Sequence, residues 1–152
     1  MNKEQQAIIS FIKKHHVFNL AVCHNEKLWT ASCFYTLWEE EMALVFLSDN
    51  NTRHAQMMIN NANVAGTITL ETRIVGKIQG LQFSGEVKKL EDKTLMLAKR
   101  LYYKRFPYTR GTQSTFWMLT INDAKLTDNR LGFGKKIVWE KEPVLNNMIE
   151  IV

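Results

Sequence analysis

Long apolar runs are missing from this chain, and so are the residues that usually staple or subdivide one. Its 152 residues include two cysteines, two prolines and seven glycines. The longest apolar stretches, residues 42–47 and 63–70, are strand-sized and fall well short of the roughly 18–20 residues that span a bilayer, so no membrane-spanning helix is expected. Residues 1–16 carry charges throughout and lack an apolar segment followed by a small-residue cleavage site, which points away from a secretory signal and toward the cytoplasm. Cys23 and Cys33 belong to no metal-spaced cluster, and a chain of this size needs no disulfide; both read as buried thiols. No repeat, low-complexity segment or Pro/Gly-rich linker divides the sequence, so residues 1–152 read as a single domain.

What is present is ordinary for a globular protein: 45% hydrophobic and 23% charged residues, enough for one buried core. The formal charge is +5, with 20 Lys and Arg against 15 Asp and Glu. These charges are scattered from Lys3 to Lys141 without a zinc-finger, helix-turn-helix or RNP signature, so nucleic acid is not the expected partner. A moderate positive field suits a phosphate-bearing small molecule.

Hydrophobic period gives the element order. Asn2 can cap a helix running to Lys14, with Ala7, Ile8, Phe11 and Ile12 at helical spacing. From Val17 the period becomes that of strands: residues 17–23, a turn at Asn25-Glu26-Lys27, residues 28–37, then residues 42–47 after a solvated Glu39-Glu40-Glu41 tip. Residues 52–60 read as a helix burying Ala55, Met58 and Ile59. Residues 64–70 and 74–86 are two more strands, the second bent or bulged by Gly76, Gly80 and Gly85. A basic amphipathic helix over 95–106 ends at Pro107, and residues 116–126 form a sixth strand before the tail. Antiparallel strands on short turns, without regular strand–helix alternation, favour a closed barrel over a doubly wound sheet.

Ser48-Asp49-Asn50-Asn51-Thr52-Arg53-His54 is the segment most suited to chemistry. A strand ends, a polar turn follows, and Thr52, Arg53 and His54 stand at a helix start, where free backbone N–H groups and a guanidinium fork match phosphate oxygens. The plainer reading makes Thr52 an N-cap and Arg53 a solvated first-turn residue. Elsewhere, adjacent His15 and His16 do not face one metal site, His24 reads as an exposed turn neighbour, and Gly132-Phe133-Gly134-Lys135-Lys136 lacks the Gly-Lys-Ser/Thr ending of a nucleotide loop. Trp29, Trp38, Trp117 and Trp139 supply aromatic surface, with Trp117 the best candidate to stack on a planar ligand.

The segments 48–54, Gly80-Leu81-Gln82-Phe83-Ser84-Gly85 and Asp128-Asn129-Arg130-Leu131-Gly132-Phe133-Gly134-Lys135, with Asn63-Val64-Ala65 entering a strand, resemble the pyridoxamine 5′-phosphate oxidase-like FMN-binding split barrels. Over residues 7–139 the chain is most similar to the UPF0306 group within them. The resemblance implies a mainly β protein, a six-stranded antiparallel split β-barrel with peripheral helices, that binds FMN as a homodimer. It implies that Thr52 and Arg53 bind phosphate, that His54 takes the place of a second cation, and that Leu47 and Ser48 touch the ribityl chain. Thr30, Ala31, Ser32 and Cys33 would line the isoalloxazine with backbone, and Gln79 or Gln82 would reach the ring. Trp117, Asn129, Arg130 and Lys135 would complete the site from the second subunit.

The run Lys125-Leu126-Thr127-Asp128-Asn129 departs from the oxidase's basic-Leu-His-Asp-Arg run: the His is gone and Lys lacks the bidentate fork. Oxidation of pyridoxamine phosphate is therefore not expected. The implied function is a flavin-dependent oxidoreductase of unknown small-molecule substrate, the alternative being a non-catalytic carrier of flavin, haem or another planar ligand.

Overall fold

A computed structural model describes residues 1–111 and 113–143. Helix α1 (Lys3–Lys14) starts where expected, the Asn2 side chain accepting the Gln5 N–H at 2.8 Å. Strand β1 (Val17–His24) and β2 (Lys27–Trp38) are joined by a two-residue turn at Asn25 and Glu26, both with positive φ, 52° and 64°. They lead to β3 (Ala43–Leu47), α2 (Arg53–Asn60), β4 (Asn63–Thr69), β5 (Gln79–Lys89), α3 (Asp92–Arg105) and β6 (Phe116–Asp128). A seventh strand, β7 (Lys136–Glu140), lies in what the sequence leaves as tail.

All pairings are antiparallel, and the order β3-β2-β1-β4-β5-β6 closes on itself through β3–β6. Six strands thus form the barrel, as the sequence predicts. β6 is longer than β3 and divides one edge: residues 116–120 pair with β3 and residues 123–127 with β7. β2 has the complementary overhang, since β3 covers only residues 35–38 of its second edge. The barrel is split at those two overhangs.

The main core fills the barrel, with Phe18, Leu20, Tyr35, Leu44, Phe46, Leu81 and Leu119 fully or nearly fully buried. α1 contributes Ile8, Ile9, Phe11 and Ile12 to it, and α2 contributes Ala55, Met57 and Met58. Met57 takes the buried place expected for Ile59, which is half exposed. α3 packs outside, Ala98 and Tyr102 lying with Val45, Phe116 and Met118 in a second core. Arg105 ties that helix down by donating to the carbonyls of Tyr35, Lys13 and His15.

Residues 74–78 are not strand: Val75–Lys77 is a 3-10 turn, and β5 begins only at Gln79. The bend expected in β5 is real, and sits at the register shift between Ser84 and Gly85, where Asn122 of β6 is the extra residue. Gly85 is held so close to β6 that a Cβ there would lie 2.1 Å from the Thr120 carbonyl oxygen. Among the described residues no helix is long and apolar enough to cross a membrane.

Candidate functional site

The β2 overhang is the natural place for a ligand. Tyr35 donates its backbone N–H to the His16 carbonyl at 3.0 Å, and antiparallel partners exchange bonds at every second residue, so the odd-numbered residues of β2 bond to β1. The backbone groups of Leu28, Thr30 and Ser32 therefore face the edge that β3 leaves open. α2 begins beside that edge. Its first residue, Arg53, lays its guanidinium over the Trp29 ring, 4.0 Å from the centroid. Among the described residues no carboxylate pairs with Arg53. Its N–H fork is held in place by stacking and is free to donate.

The other residues of the segment hold the turn together. The Thr52 hydroxyl accepts the Ala55 N–H at 3.2 Å and donates to the Asp49 carbonyl at 2.9 Å, so it caps the helix as the plainer reading expects. His54 turns inward, its Nε2 2.8 Å from the Ser48 hydroxyl and 3.5 Å from that of Thr52. Burial holds its imidazole below the ordinary pKa. A neutral ring bonded to two hydroxyls does not supply the second cation that the resemblance implies. Ser48 is itself buried and also meets the Cys33 thiol, which burial pushes up to about 11, partly offset by that hydrogen bond.

The folded His54 pKa lies below the ordinary histidine value of 6.5, so on acidification the unfolded chain takes the proton first. Stability is complete above about 6.5 and declines as pH falls below it. His15, lowered by burial and by His16, Lys14 and Arg105, acts with the same sign. The melting temperature should drop between about pH 7 and 5, less steeply in His54→Gln; an identical slope would mean that His54 is not held neutral.

Trp117 is a core residue and not the stacking surface expected of it. It is 2% exposed, packed in the main core, and donates its indole N–H to the Ser48 carbonyl at 3.1 Å. It supports the end of β3 from below and offers no face to a ligand. Leu47 is partly buried against the second core. Ala31 and Cys33 point inward, whereas Thr30 and Ser32 lie on the outer face, where the Ser32 hydroxyl donates to the Asn19 side-chain amide oxygen, Oδ1, at 3.1 Å.

The structure separates Gln82 from Gln79. Gln82 lines an outer cleft of about 300 Å³ with Thr30, Asn19, Ala65 and Thr67. Gln79 pairs with Asp128 at the far end of the strands. Asn129, Arg130 and Lys135 belong to that far end too. Asn129 bridges the Val75 carbonyl and the Gly134 N–H, and Arg130 grips Asp128 in two bonds of 2.8 and 3.0 Å, which holds the Asp128 carboxyl below the usual range. Lys135 is exposed. Within one chain none of the three approaches Arg53.

One feature has no local signal in the sequence. The β1–β2 turn and α2 enclose a cavity of about 380 Å³ lined by His24, Asn25, Lys27, Arg53, Gln56, Met57 and Asn60. His24, read as an exposed neighbour of the turn, is part of its wall. Among the described residues no group of His, Cys, Asp and Glu could hold a metal ion.

A six-stranded barrel with its edges divided in this way is a split barrel of the pyridoxamine 5′-phosphate oxidase-like kind. The chain is 40% identical over 136 residues to a UPF0306 protein of Photorhabdus laumondii, which covers 90% of this chain and 95% of that one. It belongs to the UPF0306 family. Of the solved structures, a haem-binding protein from Mycobacterium smegmatis superposes with a TM-score of 0.72 at 15% identity, over 91% of this chain and 57% of that one. An FAD-binding protein from Mesorhizobium loti gives 0.68 at 11%, over 83% and 94%. At these identities the likeness is one of fold. No protein-family model matches the chain.

Proposed function

We propose that this chain binds FMN as a homodimer and acts as a flavin-dependent oxidoreductase on a small-molecule substrate. The observation that carries this reading is the backbone edge of Leu28, Thr30 and Ser32 that β3 leaves open, ending beside Arg53, a cation without a carboxylate partner among the described residues. A planar ring with alternating donors and acceptors fits an unpaired strand edge, and a phosphate at its other end fits the guanidinium and the start of α2. FMN, once bound, supplies the hydride and electron transfer. The chain's part is to bind, orient and shield: Arg53 anchors the phosphate, β2 aligns the ring, and Ser48, fixed by His54 and Trp117, holds the floor between them.

The dimer is supported by the outer face of β1, β2 and β4, where Val17, Ala21, Leu28, Phe34 and Ala65 leave small or apolar surface partly or wholly exposed. A second copy on this face is the route by which Asn129, Arg130 and Lys135 reach a flavin site. Ala65→Glu places a charge at the centre of that face. It is expected to yield a monomer by light scattering with FMN binding lost; a persistent dimer would remove the face from the interface.

A second reading, a carrier of flavin, haem or another planar ligand without turnover, is favoured by what borders the edge: a thiol held at about 11 and an inward-turned neutral imidazole, neither suited to acid–base work near neutrality. The deciding experiment is a visible spectrum of the purified protein before and after FMN addition and dialysis, followed by NADH or NADPH. Retained flavin that is reduced supports the enzyme, retained flavin that is not reduced supports the carrier, and no retention of FMN defeats both flavin readings.

A further inference from the structure

The cavity between the β1–β2 turn and α2 has Arg53 on its helix wall and His24 and Lys27 on its hairpin wall. Its volume, about 380 Å³, falls within the range of whole small-ligand sites. Its lining among the described residues contains two cations, Lys27 and Arg53, the His24 ring and three side-chain amides, and no carboxylate. Neither Lys27 nor Arg53 has an acidic partner among the described residues.

Both walls are fixed before any ligand arrives. On the hairpin, His24 and Lys27 are directly opposed in the strand register across the two-residue turn, which sets their side chains on the same face of the sheet, one row beyond the Val22–Trp29 pair. On the helix, Arg53, Gln56 and Asn60 occupy positions i, i+3 and i+7, a single stripe turned to the hairpin. Thr52 caps one end of α2. Asn61 ties the other end to the hairpin by donating to the Cys23 carbonyl at 2.9 Å, and the Arg53–Trp29 stack closes the gap between. Gln56 and Asn60 donate to the carbonyls of Asn50 and Gln56, so the donors left for a ligand are chiefly the cations.

We propose that this cavity is a second phosphate subsite, with Lys27 and His24 receiving a phosphate group next to the one at Arg53. The inference rests on the flavin reading for its neighbour but not for its own test. The second phosphate has two sources: the adenylate half of a flavin dinucleotide, or a separate phosphorylated substrate bound beside FMN.

The test uses the full chain and a double variant, His24→Gln with Lys27→Gln, whose side chains sit at a solvent-facing turn outside the core. Flavin fluorescence titrations give the FMN and FAD affinities, and the NMR signals of the His24 ring report inorganic pyrophosphate binding to protein with and without FMN. If FAD is the source, the variant loses about tenfold or more in FAD affinity and less than twofold for FMN. If a separate ligand is the source, FAD and FMN are unaffected, while pyrophosphate shifts the wild-type His24 signals saturably and competes with a phosphorylated substrate such as NADPH. Equal loss for FMN and FAD, or no flavin difference together with silent His24 signals, overturns the subsite. Because the NMR arm needs no flavin, a chain that fails to bind FMN yet responds at His24 defeats the flavin reading and leaves the subsite standing.

Discussion

Arg53→Ala should weaken FMN binding by about 1.5–3 kcal/mol, roughly tenfold to a hundredfold in Kd. Three features make Arg53 worth that much. It stands at the start of α2, where backbone N–H groups and the helix dipole already favour an anion. Its guanidinium is stacked on Trp29, so little side-chain freedom is lost when a ligand arrives. The neighbouring residue expected to share the load, His54, is neutral and turned toward Ser48. Arg53→Lys should recover only part of the affinity, since an ammonium keeps the charge and loses both fork and stack. A fluorescence titration reads both variants, with circular dichroism confirming the fold. Unchanged affinity in Arg53→Ala would take this residue out of the site.

Gly85→Ala should destabilise the protein by about 3 kcal/mol or more, lowering Tm by roughly 6–12 °C. The reason is steric and lies in the backbone. The added methyl would sit 2.1 Å from the Thr120 carbonyl oxygen and 2.9 Å from a Leu119 methyl. No rotamer change relieves a clash with a carbonyl of the paired strand, so the β5–β6 ladder must part at its bulge. By contrast, among the described residues nothing lies within 4 Å of where a Cβ at Gly80, on the same strand, would stand, and Gly80→Ala should be nearly silent. Scanning calorimetry of the pair separates the two; similar melting temperatures would show that the bulge opens easily.

The contrast between these glycines also shows which parts of the molecule are legible in sequence. Locally determined features are: Asn2 and Thr52 cap helices because a short polar side chain before an amphipathic run has few other uses, and the hairpin at residues 25 and 26 follows from two strand periods separated by polar residues. The barrel's closure was legible as well, through strand count and the lack of strand–helix alternation. β7 was not, because only Ile137 and Trp139 alternate inward while Val138 is exposed, too short a pattern to stand out from a tail. Residues 74–78 look like strand by composition, yet they have no partner strand among the described residues, and β-propensity depends on one.

Site residues follow the same division. Arg53 announces itself by position, at the junction of strand, polar turn and helix. Trp117 misleads because β6 is buried on both faces at that point, Phe116 and Met118 on one side and Trp117 and Leu119 on the other, so alternation carries no information about which face is free. His24 and Lys27 reach Arg53 only through the folding of the hairpin over α2, and nothing within their own segment records that.

The overhang of β2 has a cost outside ligand binding. A row of N–H and C=O groups with no strand partner among the described residues, flanked by Leu28 at 75% and Trp29 at 44% exposure, is a template on which another extended chain can add. Natural sheets blunt such edges with charge, proline or a bulge, and residues 28–34 hold none of the three. Whatever occupies the edge, a small molecule or a neighbouring subunit, therefore also acts as a guard against misassembly, and the empty chain is the form from which fibrous or amorphous aggregates would start.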